Sequence, residues 1–399
     1  MKLTLSATVA RMRECGVVLF DPVGLLERLE RLGDRRGERG RRYELAPVLL
    51  AIIFAKLAGE DTPSGIADWV TDRASELRAA LHVEWRRMPH PNTVRRILTY
   101  GVEPEELDRV VSEHLSSLPE VGTSRLIAFD GKTVRGTRSA TNPQGDHLLA
   151  AYLPAEGIVL GQVAVGHKEN EISAAPTLLG QLNLEGKIVM GDALHAQREL
   201  SGQITEAGGD FIWLIKANQP LALEEITELF APETPTVDGT LLPNDFRRSE
   251  QSAKGHGRRE RRRITVSSAL KGYTAWPSLE QVFRLERWRT HLPTGLVQTE
   301  VVYGLTSLSR PAASARTLSD LVRAYWGIEN GLHHTRDVTF HEDRLRQTQG
   351  QAGHVTASLN NLVIGLLRHA GFTNLARARR VCNSLFNQAT YLAIERMLT

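Results

Sequence analysis

The sequence predicts an α/β protein in which helices flank a mixed sheet, with a β-rich insertion and an all-helical N-terminal domain. Up to about residue 118, apolar residues recur at the spacing of amphipathic helices. From about residue 124, short apolar runs bounded by turn residues alternate with helical segments, as expected for strands covered by helices. From about 235 to 312, polar and apolar residues alternate, which is typical of half-buried strands.

These changes of pattern predict two domains. Residues 1–118 form a helical domain, in which "PVGLLERLERL" begins with a proline and "ELAPVLLAIIFAKLAGE" has the composition of a buried helix. Residues 119–399 contain the sheet, the insertion at about 235–312 and the C-terminal helices. Helical spacing returns after the insertion in "TLSDLVRAYWGIENGLHHTRDV", so the insertion interrupts the α/β domain and does not end it.

The composition is that of a soluble globular protein. Of the 399 residues, 41% are hydrophobic and 24% are charged. No apolar run is long enough to span a bilayer, and the N-terminus lacks the apolar core of a signal peptide, so we expect a cytoplasmic protein. The two cysteines, Cys15 and Cys382, are too few for a disulfide framework or a cysteine-rich zinc site.

Positive charge is concentrated in clusters, although the net charge is only +3. Arginine-rich segments occur at Arg35–Arg42, Arg86–Arg87, Arg258–Arg263 and Arg377–Arg380. Such clusters can neutralise the phosphates of a nucleic acid. Taken singly, each is more often a solvated surface, so the clusters alone leave both interpretations open.

The segment "FDGKTVRGT" contains "GKT", which is also the end of a phosphate-binding loop. Such a loop requires a glycine five residues before Gly131, and Leu126 occupies that position. A carboxylate at Asp130 would also repel a phosphate unless a metal ion lay between them. The segment therefore predicts a strand that ends in an aspartate and continues into basic residues.

A second apolar strand ends in the same way in "KIVMGDALHAQ", where Asp192 follows Gly191. Asp192 can cap the helix that follows it. Two strand-end aspartates in one α/β layer also favour a metal site, because carboxylates on neighbouring strands can share Mg²⁺, which prefers oxygen ligands. Both interpretations stay open for Asp192 at this point.

A third carboxylate is expected from "RAYWGIENGLHHTRDVTFHEDRLR", because two-metal phosphoryl transfer usually uses more than two acidic groups. The strongest candidate is Glu329. In a helix, it shares one side with the residues three, four and seven positions away, which are Tyr325, Trp326, His333 and Arg336. Asp337 lies close to the same side, so spacing alone leaves it as an alternative.

Six segments of the chain resemble, in the same order, those of bacterial insertion-sequence transposases of the H-repeat-associated type. They are "IAFDGKTVRGT", "GQVAVGHKENEISAAPTLLGQL", "IVMGDALHAQ", "GGDFIWLIKANQP", "KGHGRRERRR" and "YWGIENGLHHTRDVTFHEDR". The resemblance covers nearly the whole chain and implies the DDE superfamily with its RNase H-like catalytic core. It identifies Asp130, Asp192 and Glu329 as the catalytic and metal-binding triad.

Two departures from the family pattern leave this triad intact. His334 stands where relatives usually have a tryptophan after "IENxLH", and "ENEI" replaces the commoner "SNEI". The interval from Asp192 to Glu329 is 137 residues (329 minus 192), which accommodates the predicted insertion.

The resemblance implies Mg²⁺-dependent cleavage and joining of DNA strands by two ions, with Mn²⁺ as a substitute. One ion would activate water and later a DNA 3′-hydroxyl, and the other would stabilise the leaving oxygen. The implied partner is double-stranded DNA, at the terminal repeats and at the target, to which the protein would bind as a homodimer. No membrane partner is implied. The implied location is the bacterial cytoplasm, in association with the nucleoid.

Twelve further residues are predicted DNA contacts, because they follow strand ends near the triad, lie in a basic glycine-flanked segment or flank Glu329. They are Lys132, Arg135, His195, Gln197, Lys216, Asn218, His256, Arg258, Arg323, Trp326, His333 and Arg336. An ordinary structural role is the alternative for each: a surface salt bridge, a helix cap, a core tryptophan or a buried histidine.

Two other functions fit the sequence. A catalytically silent DNA-binding protein, such as a transposition repressor or a domesticated relic, would keep the fold without the reaction. A plain RNase H-like nuclease would cut DNA without joining it. The intact triad argues against the first alternative, and the insertion together with the N-terminal domain favours a transposase over the second.

Overall fold

The computed structural model describes residues 22–39, 41–166, 169–231, 245–255 and 257–385. The chain divides into two compact units. The first unit contains Met1–Thr123, Gly131–Lys168 and Glu329–Thr399, and the second contains Ser124–Asp130 and Glu169–Ile328. The chain therefore passes from one unit to the other directly after Asp130 and directly before Glu329.

The described helices and strands alternate as the sequence pattern predicts. Up to the insertion, the elements are α1 (Pro22–Leu29), α2 (Leu45–Leu57), α3 (Pro63–Asp72), α4 (Ala74–Leu81), α5 (Pro91–Arg96), α6 (Pro104–Ser116), β1 (Leu126–Val134), β2 (Asp146–Leu153), β3 (Ile158–Val165), α7 (Glu171–Leu179), β4 (Ile188–Gly191), α8 (Arg198–Glu206), β5 (Asp210–Ile215) and α9 (Pro220–Leu229). The remaining elements are β6 (Arg247–Gly255), β7 (Arg258–Ser267), β8 (Gln281–His291), β9 (Val297–Thr306), α10 (Ala315–Tyr325), a π-helical turn (Glu329–His333), α11 (His334–Val338), α12 (Ala352–His369) and α13 (Leu375–Leu385).

The core of the first unit is built around α2 and α12. Helix α2 is apolar on every side, and all of its residues are buried, including Lys56, whose ammonium group lies 3.3 Å from the Asp61 carboxylate. Helix α12 is joined to α6 through Asp108, which accepts a hydrogen bond of 2.6 Å from Ser358 and lies 2.6 Å from His354 Nε2. Asp108 therefore links two helices that are distant in sequence through buried, paired polar groups.

Nine strands form one mixed sheet in the order β3-β2-β1-β4-β5-β9-β8-β7-β6. In the second unit, β1, β4 and β5 are parallel, with Leu126 opposite Ile188 and Ile188 opposite Asp210. In the first unit, β2 and β3 form an antiparallel hairpin. The strand order 3-2-1-4-5, with three parallel strands and an antiparallel hairpin, is the RNase H-like arrangement that the family resemblance implied.

The predicted β-rich insertion corresponds to strands β6 to β9. These four strands pair antiparallel with one another, and β9 also pairs with β5, so the insertion extends the sheet of the second unit. Near β5 the strands bury Ile264, Phe283 and Leu285, whereas the turn between β8 and β9 is exposed. The predicted mixed sheet, flanking helices, insertion and helical N-terminal region are all confirmed.

None of the described helices is both long and apolar enough to cross a membrane. The domain boundary predicted near residue 118 concerns independently folding parts of the chain, and it stays a prediction.

A close approach of two strands in the second unit requires glycine at position 304. A Cβ atom at Gly304 would lie 2.6 Å from the main-chain oxygen of Trp213 and would also collide with the ring of Phe283. We expect Gly304→Ala to lower the free energy of unfolding by about 1–3 kcal/mol, because a main-chain atom cannot move aside cheaply. Urea unfolding followed by circular dichroism measures this change.

The matched control is Gly202→Ala in helix α8, where a Cβ atom has no neighbour within 4 Å. This substitution should raise stability by about 0.5–1 kcal/mol, because alanine loses less backbone entropy in a helix than glycine does. Equal effects of the two substitutions would contradict the close-approach argument.

Candidate functional site

Two of the three predicted carboxylates, Asp130 and Asp192, belong to the second unit. The parallel register places Ala128 of β1 opposite Met190 of β4. Asp130 follows Ala128 by two residues within β1, and Asp192 follows Met190 by two residues, directly after β4 ends at Gly191. Both aspartates are half-buried. The two candidate acids therefore belong to adjacent parallel elements of the sheet, one within a strand and one at a strand end.

Asp192 also caps the short 3₁₀ turn that follows β4. Its Oδ1 accepts a hydrogen bond of 2.9 Å from the N–H of Leu194. The capping role that the sequence suggested is therefore real. A carboxylate has about four acceptor positions, so this one hydrogen bond is compatible with metal binding by the same residue.

The turn after Asp192 is supported from inside the unit by His195. This side chain is fully buried, and its Nε2 lies 3.1 Å from the Glu171 carboxylate. A Cβ atom at Gly191 would lie only 2.8 Å from the His195 ring, so the small residue before Asp192 makes room for the histidine. The prediction that His195 contacts DNA is wrong, because burial removes it from any DNA surface.

Two predicted DNA contacts hold the same turn through their amide groups. Asn218 donates a hydrogen bond of 2.6 Å to the main-chain oxygen of Ala193, and Gln197 donates one of 3.0 Å to that of Leu194. Both side chains therefore position the loop that carries Asp192. Lys216, two residues before Asn218, is exposed and remains a candidate DNA contact.

In the first unit, Glu329 opens the π-helical turn that ends at His333. The Glu329 side chain is 58% exposed, and one of its oxygens lies 3.3 Å from Nδ1 of the buried His333. This hydrogen bond, followed by the positive charges of His333 and Lys132, lowers the pKa of Glu329 despite partial burial. The carboxylate is therefore ionised at neutral pH, as a metal ligand must be.

The segment after this turn is fixed by a buried ion pair. Arg336 is 1% exposed, and its guanidinium donates hydrogen bonds of 2.8–3.0 Å to the fully buried Glu342, which also accepts one from Asn360. The guanidinium lowers the pKa of Glu342 although burial alone would raise it. The predicted DNA contact by Arg336 is wrong, because this arginine has a structural partner in the interior.

Lys132 and Arg135 of the opening basic segment have different environments. Lys132 is buried, and its ammonium group lies 2.7 Å from the Asp337 carboxylate. Asp337, which helical spacing had left as an alternative to Glu329, is therefore engaged in an ion pair. The same ion pair argues against direct contact of Lys132 with DNA. The Arg135 side chain is exposed, 3.6 Å from Asp343, and remains a candidate DNA contact.

The remaining predicted DNA contacts are mostly at the surface. Arg258 and Arg323 are exposed, and Trp326 is 43% exposed, with the Arg287 guanidinium 5.6 Å from its ring centre. The surface position of Trp326 excludes the alternative of a core tryptophan. His256 lies outside the described residues.

Sequence reasoning had not assigned a role to Glu171 or to Glu342. Both lie in motifs that carried the family resemblance, "ENEI" and "HEDR". Their position in these motifs was visible in the sequence, but only the fold shows that Glu171 holds His195 in place and that Glu342 holds Arg336 in place.

Two family models of known proteins match this chain. Residues 122–364 match the family model described as Transposase DDE domain. Residues 26–115 match the model described as DDE_Tnp_1-associated. The chain belongs to the DDE transposase family.

The chain is similar to several curated bacterial proteins. It is 26% identical over 350 residues to the "Putative transposase YncI" of Escherichia coli O157:H7, covering 86% of this chain and 87% of that protein. It is 25% identical over 351 residues to the "H repeat-associated putative transposase YhhI" of Escherichia coli K12, covering 86% and 90%. These names agree with the family that the sequence motifs indicated.

A solved structure of the piggyBac transposase in a synaptic complex with hairpin DNA is also similar. Its TM-score is 0.45 at 10% identity, over 97% of this chain and 83% of that one. A similarity of this size supports no conclusion about function.

The hydrogen bond between His333 and Glu329 predicts how the pKa of Glu329 responds to substitution. Removing the imidazole in His333→Phe should raise the pKa of Glu329 towards its ordinary value of 4.5. An NMR titration of the metal-free protein with carboxyl-labelled glutamate, assigned with Glu329→Gln, measures this pKa. The control is His334→Ala, which removes only the more distant charge of an exposed neighbour and should change the pKa less. Equal shifts in both variants would show that the hydrogen bond is not the main cause.

Proposed function

We propose that this protein is a transposase that binds the ends of a mobile element and catalyses divalent-metal-dependent cleavage and joining of DNA strands. The observation that carries the proposal is the parallel pairing of β1, which contains Asp130, with β4, which ends directly before Asp192, in a chain of the DDE transposase family. Glu329 is the third member of the proposed triad.

The proposed ligand set is suited to Mg²⁺. Asp130, Asp192 and Glu329 all offer carboxylate oxygens, which Mg²⁺ prefers and which Mn²⁺ also accepts. Two bound ions would activate the attacking oxygen and stabilise the leaving oxygen of an in-line displacement at phosphorus. The protein contributes by keeping Glu329 ionised and by holding the Asp192 turn in place through His195, Asn218 and Gln197.

The proposed partner is double-stranded DNA, at the terminal repeats and at the target. Exposed basic residues would contact the backbone without reading sequence, and Trp326 offers an exposed ring for stacking on an unpaired base. The basic candidates that remain exposed are Arg135, Lys216, Arg258 and Arg323, joined in the N-terminal region by Arg86 and Arg87 between helices α4 and α5 and by Arg95 and Arg96 of α5. Action as a homodimer that pairs two DNA ends, and contact through His256, belong to the same proposal.

Single neutral substitutions test the catalytic assignment. Asp130→Asn, Asp192→Asn and Glu329→Gln should each abolish cleavage of a labelled terminal-repeat duplex in Mg²⁺ while DNA binding persists, because each removes a charged metal ligand. The matched control is Asp210→Asn, which changes an aspartate at the opposite end of the neighbouring strand β5 and should remain active. Near-normal cleavage by any triad variant would remove that residue from the assignment.

The same assay separates the proposed function from its two alternatives. A transposase yields product joined to a target plasmid, a hydrolysis-only nuclease yields cut but unjoined DNA, and a silent DNA-binding protein yields neither.

A cleavage reaction of the polypeptide tests whether the three acids bind metal together. Fe²⁺ can replace Mg²⁺ at carboxylate sites, and with peroxide it cuts nearby main chain. We expect cuts close to Asp130, Asp192 and Glu329 that excess Mg²⁺ suppresses, measured by mass spectrometry of the fragments. Cuts close to the two aspartates only would mean that Glu329 binds no shared metal, whatever the enzymatic activity of the protein.

A further inference from the structure

The outer part of the insertion carries a cluster of arginines and glutamates on one face. The register of β7, β8 and β9 aligns Arg262 with Arg287 and Glu300, and one row further out it aligns Glu260 with Arg289. We call these five residues the outer arginine cluster. Three cations face two anions in it, so the cluster carries an excess of positive charge.

Arg287 is the least satisfied member of the outer arginine cluster. Its side chain is only 5% exposed, yet Nε has no hydrogen-bond partner among the described residues, and the closest carboxylate, of Glu300, is 3.7 Å away. Burial, together with the charges of Arg289 and Arg262, lowers the pKa of Arg287. A buried N–H without a hydrogen bond is costly, so a bound anion that accepts from Nε would stabilise this arrangement.

One carboxylate oxygen of Glu300 lies close to both Arg287 and Arg289. One oxygen of Glu300, Oε2, lies 3.7 Å from Arg287 Nε and 3.8 Å from Arg289 Nη2. Both distances are longer than a hydrogen bond. The Glu300 carboxylate therefore lies where an anion is attracted by both arginines, but it makes no hydrogen bond to either of these nitrogen atoms. Glu300 itself is 49% exposed and can turn towards water.

A cavity of about 360 Å³ surrounds this oxygen. Its walls are Arg287, Arg289, Gln298, Thr299 and Glu300. The amide of Gln298 is a further donor on the same face as Arg287 and Arg289, so the lining suits an anion with several oxygens, and Glu300 is its one acidic member.

We propose that this cavity binds a phosphate group of the DNA backbone, which takes the position that the Glu300 carboxylate holds in the free protein. A phosphate presents several acceptor oxygens, and a guanidinium can bind two of them at once. The two arginines could therefore make the hydrogen bonds that Glu300 leaves unmade. This inference rests on the proposed function, and it extends that function by assigning the insertion a contact with the DNA backbone.

Binding of the full-length chain to a random-sequence duplex tests the site, because a phosphate contact carries no sequence information. Fluorescence anisotropy at several salt concentrations should show about tenfold weaker binding for Arg287→Ala. The slope of log affinity against log salt should fall by about 0.9, the value for one lost phosphate contact. Glu300→Gln should bind more tightly than the wild type, and a gain of binding cannot come from misfolding.

Two controls lie on the opposite face of the four-stranded insertion. Arg259→Ala removes an exposed arginine of β7, and Glu250→Gln removes a carboxylate of β6 that pairs with Arg261 and Arg263. Each makes the same change of charge as its test variant and should have a clearly smaller effect. If the test and control variants change affinity equally, overall charge explains the result and the site is overturned.

Inorganic phosphate separates a DNA site from a site for a free ion. Phosphate should raise the melting temperature of the wild type more than that of Arg287→Ala if the cavity accepts the group. A phosphate effect with unchanged DNA affinity in Arg287→Ala would mean an adventitious ion only, which overturns the proposal. Absence of duplex binding by the wild type would overturn the proposed function as well, whereas wild-type binding that Arg287→Ala leaves unchanged overturns the site alone.

Discussion

The parallel pairing of β1 with β4 is the constraint on which the candidate site depends. It joins β1, which contains Asp130, to β4, which ends directly before Asp192, so acids that are 62 positions apart (192 minus 130) belong to adjacent elements of one sheet. A slip of one residue would turn one of them to the other face of the sheet. The surroundings of Asp192 protect this arrangement, because His195, Asn218 and Gln197 all tie the turn after β4 to the second unit.

Basic residues of this protein divide between interior ion pairs and exposed positions. Arg336 and Lys132 are buried against Glu342 and Asp337, where they fix the segments around Glu329 and Asp130. Arginines such as Arg258 and Arg323 are exposed and free to move, which suits contact with a mobile polyanion. Arg287 falls between these groups, since it is buried but loosely paired, and for this reason its environment points to a ligand.

The sequence indicates three candidate acids because each stands at a recognisable position, and their role as metal ligands stays a prediction. Asp130 and Asp192 end apolar runs, and Glu329 lies in a helical pattern beside Trp326 and His333. The DNA contacts were predicted less well, because proximity in sequence to a strand end does not reveal burial. Histidine and arginine commonly bind phosphate, yet His195 and Arg336 are buried and pair with Glu171 and Glu342.

The sequence by itself determined the order of helices and strands, the insertion and the three candidate metal ligands, because these follow from local periodicity and from motifs that are continuous in the chain. Only the tertiary structure decided which charged groups pair with one another. Pairs such as His195 with Glu171 and Lys132 with Asp337 join distant segments. Burial makes such pairing obligatory, since an unpaired charge in the interior is costly, and burial is a property of the packed chain that local sequence does not specify.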